Sequence, residues 1–218
     1  MGCRCISAGN TSSAILLITD KPFRMLSKEA ALLRPGESGL MALDWWNGNK
    51  TPFVDGLLSG SLFGLTLQTK PSAVYRALVE ATAYGTRSIL ERYERVGLDI
   101  QAIICSGGIA RKNSWLMQVY ADVLDKVLRV SSSDQTAAMG AAIYAALSAG
   151  EQAGGYDAYP EAVRRMGSPS DQVFKPDQSV CLRYNQLYGL YCSFSKVMGR
   201  EQRTLMHQLR NFDASFEQ

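Results

Sequence analysis

Ile103-Ile104-Cys105-Ser106-Gly107-Gly108-Ile109-Ala110-Arg111-Lys112-Asn113 is the stretch whose reading decides the fold. Its apolar start suits a short strand, the paired glycines form a turn, and a helix is expected to begin near Asn113. Glycines carry no side chain, so a ligand can approach their backbone closely. The free N–H groups of a helix start can face a phosphate or the edge of a base. The opposing reading is a purely structural turn, and these residues alone leave both open.

Working outward, Leu116, Val119, Tyr120, Val123 and Leu124 recur at i, i+3, i+4, i+7 and i+8, the mark of a one-faced helix. Val127 to Val130 is a short strand, and Ser131-Ser132-Ser133-Asp134-Gln135-Thr136 is a polar turn able to cap the next helix. That helix, Ala137 to Ala149, is built of small residues and stops at Gly150, which predicts close approach to a sheet. Upstream, Thr69-Lys70-Pro71 opens a long helix with Thr69 as its expected cap and Val74, Leu78, Ala81, Gly85 and Ile89 on its buried face. This helix ends near Gly97, and Asp99 to Cys105 is the strand that feeds the glycine turn. Residues 70–150 therefore alternate helix, strand, helix, strand, helix. That order predicts an α/β layer fold with its ligand loops at the strand ends.

The flanks are less periodic. Residues 1–25 show no clear period, although Ser12 to Thr19 is strand-like. Leu26 to Leu33 is a short helix, and Leu40 to Leu43 is extended and leads into Asp44-Trp45-Trp46-Asn47-Gly48-Asn49, where Asn-Gly signals a turn. The two tryptophans are either core residues or a platform for a ring-shaped ligand. Asp55 to Leu65 holds three glycines and reads as a bend, and no Walker G-x-x-x-x-G-K-[ST] match occurs in the chain. Tyr159-Pro160 starts a helix running to Met166. Asp177 caps a last long helix with Val180, Tyr184, Leu187, Tyr191, Phe194 and Met198 on its packed face, and the tail after Gly199 is expected to fray.

Composition excludes several classes. With 46% apolar and 20% charged residues the chain can build a packed core, so gross disorder is excluded. The net charge of +3 comes from mixed charges with no basic stripe for nucleic acid. No apolar run reaches membrane-spanning length. Met1-Gly2-Cys3 starts like an acylation site, but Ile6 stands where Ser or Thr is needed. Five cysteines without paired C-x-x-C spacing suggest a reduced, cytoplasmic protein and no zinc site. His207 is the only histidine, which argues against Ser-His-Asp, Cys-His and histidine–metal chemistry. Asp44, Asp55, Asp99, Asp122 and Asp134 are acid–base candidates, none at a spacing that demands catalysis.

From about Leu26 to Met198 the chain resembles the C-terminal domain of the FGGY family of carbohydrate kinases. The resemblance is carried by Pro35-Gly36-Glu37-Ser38-Gly39, Ala42 to Asn49, Gly64-Leu65-Thr66-Leu67, Tyr75 to Arg87, Ser106 to Ala110, Lys112-Asn113, Met117-Gln118, Ala121-Asp122-Val123, Asp134-Gln135-Thr136 and Gly140-Ala141-Ala142. Leu43 to Asn49 points within that family to the ribulokinases. The resemblance implies an actin-like ATPase domain (ribonuclease H-like), the C-terminal half of a two-domain sugar kinase. Residues 1–25 are then an atypical start, 26–199 the ATP-binding domain and 200–218 a polar tail.

The implied reaction is transfer of the ATP γ-phosphoryl group to L-ribulose, giving L-ribulose 5-phosphate in arabinose catabolism, with Mg²⁺. By the same resemblance Gly107 and Gly108 lie under the adenosine and α-phosphate. Lys112 and Asn113 flank the adenine, and Gln135 sits at the other end of the site. The family's catalytic Asp, most sugar contacts and its phosphate hairpin have no counterpart here, so no catalytic or metal-binding residue is expected on this chain. The expectation is a ribulokinase fragment that meets its sugar only with the missing domain and is not a competent kinase alone. The alternatives are a nucleotide-binding module without chemistry and a remnant that associates with itself or a chaperone.

Overall fold

The computed structural model describes residues 23–101, 103–133, 135–167 and 170–212. Residues 23–31 are helical (α1) and lead through a turn to β1 (Met41–Leu43). β1 pairs antiparallel with β2 (Ser61–Phe63), Ala42 opposite Leu62. The strand expected at Ser12 to Thr19, with Cys3, Cys5, Ile6 and Asp134, lies outside the described residues.

α2 (Pro71–Arg95) starts with proline at its first position, where the missing N–H costs nothing. Its cap position is Lys70, not the expected Thr69, whose hydroxyl instead accepts from the Thr66 amide at 2.9 Å. Ala77, Ala81 and Gly85 are buried as the periodicity requires, whereas Val74, Leu78 and Ile89 are half-buried. Burial extends around the helix to Arg76, Glu80 and Tyr84 because α2 is packed on several sides.

The second sheet is short. β3 (Ile103–Cys105) runs parallel to β4 (Leu128–Ser131), and β4 pairs antiparallel with β5 (Ser170–Phe174). Between β3 and β4 come α3 (Gly108–Lys112) and α4 (Ser114–Leu124), the latter capped by Asn113 Oδ1 on the Leu116 amide at 3.1 Å. α4 is the shared wall of two cores. Val119 and Val123 face a cluster with Leu43, Trp45, Val79, Tyr84, Tyr184 and Tyr191, while Met117, Ala121 and Leu124 face the sheet residues Leu128 and Val130. Trp45 is thus core, edge-on to Phe53, and Trp46 is exposed.

α5 (Thr136–Ala149) departs from expectation: among its residues only Ile143 is buried, and its alanines do not press on a sheet. It leans on α6 (Tyr159–Met166), with Tyr144 and Tyr159 ring centroids 5.9 Å apart. Asp177 caps α7 (Gln178–Lys196) as expected, accepting from the Ser179 amide at 2.9 Å. Tyr184 and Tyr191 are buried on its inner face with Cys181 and Tyr188, while Val180, Leu187, Phe194 and Met198 are half-buried.

The tail after Gly199 is not frayed within the described residues. A π-helical turn (Val197–Glu201) leads into α8 (Arg203–Arg210), whose Met206 is buried in the main core. Arg203 and His207 both bind Asp55 Oδ2, and Arg210 donates to the Leu58 carbonyl at 3.1 Å.

Arg76 fastens α1, α2 and α7 together. Its Nε donates to Glu80 Oε1 at 2.7 Å, its Nη1 to the carbonyls of Ala30 and Leu33, and its Nη2 to the Tyr184 hydroxyl at 3.0 Å. The carbonyls lie at the C-terminal end of α1, where helix acceptors lack internal partners. Burial pushes the Glu80 carboxyl up while Arg76 pulls it down. Removing either partner of such a buried pair costs about 3–5 kcal/mol, because the other charge is left unpaired.

Candidate functional site

β3 and β4 run parallel, so their carboxyl ends open on the same edge of the sheet, the usual place for ligand loops in open α/β sheets. At the end of β3 the chain turns at Gly107, whose φ of +98° suits glycine and strains any residue with a side chain. A Cβ added at Gly107 or Gly108 would meet nothing within 4 Å. Neither glycine is there to let the protein pack against itself. Among the described residues only the backbone conformation explains Gly107, and nothing explains Gly108.

The β4–α5 turn closes the other side. Ser131 Oγ accepts from the Ser133 amide at 3.3 Å and Ser133 Oγ from the Gln135 amide at 3.1 Å. Arg111 Nη1 donates to the Ser132 carbonyl at 2.8 Å, tying α3 to this turn. The structure therefore brings Gly107, Gly108 and Gln135 to one edge of the sheet on turns linked by Arg111. Lys112 is exposed at the end of α3, and Gln135 is exposed at the cap of α5 with no side-chain capping bond. Asn113 differs: besides capping α4, its Nδ2 donates to Ser27 Oγ at 3.2 Å, and Ser27 donates to the Tyr75 hydroxyl at 3.0 Å. Arg111 and the serine pair were not among the expected site residues. The only sequence signal for them is the serine run itself.

α3 has five residues, too short to gather a large dipole. What the turn offers a ligand is unobstructed backbone. Cys105 lies beneath it, its thiol pushed up by burial and so uncharged. The aspartates expected as acid–base candidates are engaged structurally. Asp44 Oδ1 accepts from the Tyr191 hydroxyl at 2.7 Å, Asp122 Oδ1 from the Asp177 amide at 2.8 Å, and Asp99 from Gln101 at 2.7 Å. Among the described residues no group of three His, Cys, Asp or Glu side chains could hold a metal ion. No helix among them is long and apolar enough to cross a membrane.

Residues 6–149 match the C-terminal domain of the FGGY family of carbohydrate kinases. The chain is 46% identical over 186 residues to a ribulokinase of Halalkalibacterium halodurans, covering 85% of this chain and 33% of that protein. It is 46% identical over 194 residues to a ribulokinase of Bacillus licheniformis, covering 88% and 35%. It thus spans about a third of the length of these relatives. A xylulose kinase of Rhodospirillum rubrum shares the fold at a TM-score of 0.69 and 25% identity, over 85% of this chain and 35% of that one. A glycerol kinase of Plasmodium falciparum does so at 0.62 and 20%, over 85% and 37%.

Proposed function

The chain belongs to the FGGY family of carbohydrate kinases, and from that premise we propose that it is the nucleotide-holding part of a ribulokinase-type enzyme. The observation that carries the reading is the glycine turn: among the described residues nothing lies near a Cβ added at Gly108, so nothing there gives it a packing reason to lack a side chain. Residues 26–199 form the ATP-binding domain, with α8 held on it by Asp55. Bound ATP supplies the phosphoryl group and Mg²⁺ spreads the charge on its phosphates. The residues of this chain bind and orient. Gly107 and Gly108 give their backbone to the adenosine and α-phosphate, and Arg111 fixes that turn against Ser132. Lys112 and Gln135 border the site, and Asn113 acts through the cap of α4.

The acceptor is L-ribulose, phosphorylated to L-ribulose 5-phosphate. Its contacts and the base that takes its hydroxyl proton lie in the portion of the family fold outside this third. Phosphoryl transfer needs in-line positioning from both sides, so the chain alone holds nucleotide without turnover. The protein works in the reducing cytoplasm, where its cysteines stay as thiols. Burial together with Asp125 pushes Cys181 up to about 11.

Calorimetric titration of Mg-ATP into the purified chain tests this. Gly108 does not sit at positive φ and has free space, so Gly108→Asp folds without strain and places a carboxylate where phosphates must come. Saturable binding, weakened at least about tenfold in the variant, is the expected result. A folded chain that binds no nucleotide overturns the reading. Robust phosphorylation of L-ribulose by the chain alone overturns the division of labour.

A further inference from the structure

α3 carries Gly108 as its first residue and is held by little packing: of its five residues only Ala110 is buried. The position of so short a helix is set by the polar ties at its end. One is the Arg111 guanidinium on the Ser132 carbonyl. The other is Asn113. Its amide closes α3 on the Ile109 carbonyl at 3.1 Å, and its Oδ1 opens α4 on the Leu116 amide. A cap needs only that oxygen. The Asn113 Nδ2 bond to Ser27 Oγ at 3.2 Å is additional, and it fixes the plane of the amide and with it the joint between α3 and α4.

Ser27 uses its hydroxyl twice. It accepts from Asn113 and donates to the Tyr75 hydroxyl on α2 at 3.0 Å. A hydroxyl can do both, and hydrogen bonds in a row strengthen one another. The helix that presents Ser27 is itself anchored. Arg76 Nη1 holds the Ala30 and Leu33 carbonyls at the end of α1, and the Phe23 ring at its start lies 6.5 Å from Tyr75. Tyr75 also stands 6.0 Å from the Trp115 ring, in the first turn of α4. α1 and α2 thus form a fixed abutment against which Asn113 rests. A run of side-chain bonds leads from the buried Arg76–Glu80 pair, by way of α1, to the far end of the helix that begins at Gly108.

We propose that Ser27 is a positioning residue for the nucleotide: its hydroxyl orients Asn113, and through the α3–α4 joint it keeps the Gly107–Gly108 turn in place. The inference rests on the reading of that turn as the nucleotide site. Ser27 acts without touching the nucleotide. It makes the docking of α1 part of nucleotide affinity, and by linkage bound nucleotide must tighten α1 by the same factor.

The test combines calorimetric titration of Mg-ATP into the full chain, Ser27→Ala and Ser27→Thr with amide hydrogen exchange of α1, with and without saturating Mg-ATP. Ser27→Ala should weaken binding about fivefold, the scale of one lost hydrogen bond, and Ser27→Thr, which keeps the hydroxyl, should stay within about twofold of the parent. In the parent, Mg-ATP should slow α1 exchange about fivefold more than that of α8, which reports global stabilisation by the ligand. In Ser27→Ala that excess should vanish. A merely structural Ser27 would leave α1 and α8 slowed alike in the parent. Such equal slowing overturns the inference with no variant needed, and so does Ser27→Ala binding as tightly as the parent, and in both cases the nucleotide site stands. Equal weakening in Ser27→Thr and Ser27→Ala overturns the role of the hydroxyl. A folded parent chain that binds no Mg-ATP overturns the reading of the turn itself, and this inference with it.

Discussion

Gly85 lies in the middle of α2, where alanine ordinarily stabilises a helix by about 0.5–1 kcal/mol. Here the sign reverses. A Cβ at Gly85 would overlap Asp44 Oδ2, and Asp44 is fixed from the other side by the Tyr191 hydroxyl at 2.7 Å. Asp44 is already under tension between burial, which pushes its carboxyl up, and Tyr191, which pulls it down. Gly85→Ala must displace that pair or bend α2, an overpacking cost of about 2 kcal/mol. Gly189 in α7 is the control, since a Cβ there meets nothing within 4 Å. Urea denaturation should show Gly85→Ala losing about 2 kcal/mol and Gly189→Ala gaining up to about 1 kcal/mol. Equal gains would mean that Asp44 is free to move and that the contact specifies nothing.

α8 shows how an element is held by charge where its sequence gives no warning. Its anchor is Asp55, whose Oδ1 accepts from the Leu57 amide at 2.9 Å while Oδ2 meets Arg203 and His207. Burial alone would raise the Asp55 carboxyl, but the Leu57 amide, His207 and Arg203 outweigh it and hold it below its ordinary value. A depressed carboxylate contributes stability above its unfolded value, about 3.9, and loses it as pH falls through the lower folded value. The docking of α8 should therefore lose the Asp55 contribution as pH falls below about 4. Asp55→Asn should loosen it at every pH. Amide exchange along Arg203 to Arg210, corrected for intrinsic rates, checks both, and an acid-insensitive α8 would show that Met206 burial alone holds it. Asp55 and His207 are 152 positions apart, and hydrophobic periodicity carries no record of a partner so distant. That is why the tail looked frayed from sequence. α2, α4, α6 and α7 were legible because their apolar spacing or their terminal Asn, Asp or Pro is local. β5, with the polar start Ser170-Asp171-Gln172, exists only because β4 offers it an edge. α3 is shorter than the period that would announce it. In the candidate site the glycines were legible, because a missing side chain is visible in any sequence. The Arg111–Ser132 tie was not, because its acceptor is a backbone carbonyl.

At the scale of the whole molecule the two cores share α4 and, among the described residues, leave one face of the small sheet uncovered. β3 has no second neighbour among the described strands, and Ile104 and Ile109 are 69% and 70% exposed beside it. On the opposite side of the same small sheet Val130 is fully buried against α4. Among the described residues the sheet is therefore packed from one side only. Replacing exposed isoleucines removes no packing, so Ile104→Thr with Ile109→Gln should move the thermal midpoint by less than about 2 °C. The same double change should lower binding of a hydrophobic dye, since an apolar edge open to solvent is what such dyes report. Val130→Ala, by contrast, leaves a cavity on the buried side and should cost about 2 kcal/mol or more. If the surface pair destabilised the chain as much as Val130→Ala does, Ile104 and Ile109 would have to be packed in solution. The sheet would then be held from both sides, and its one-sided packing would be wrong.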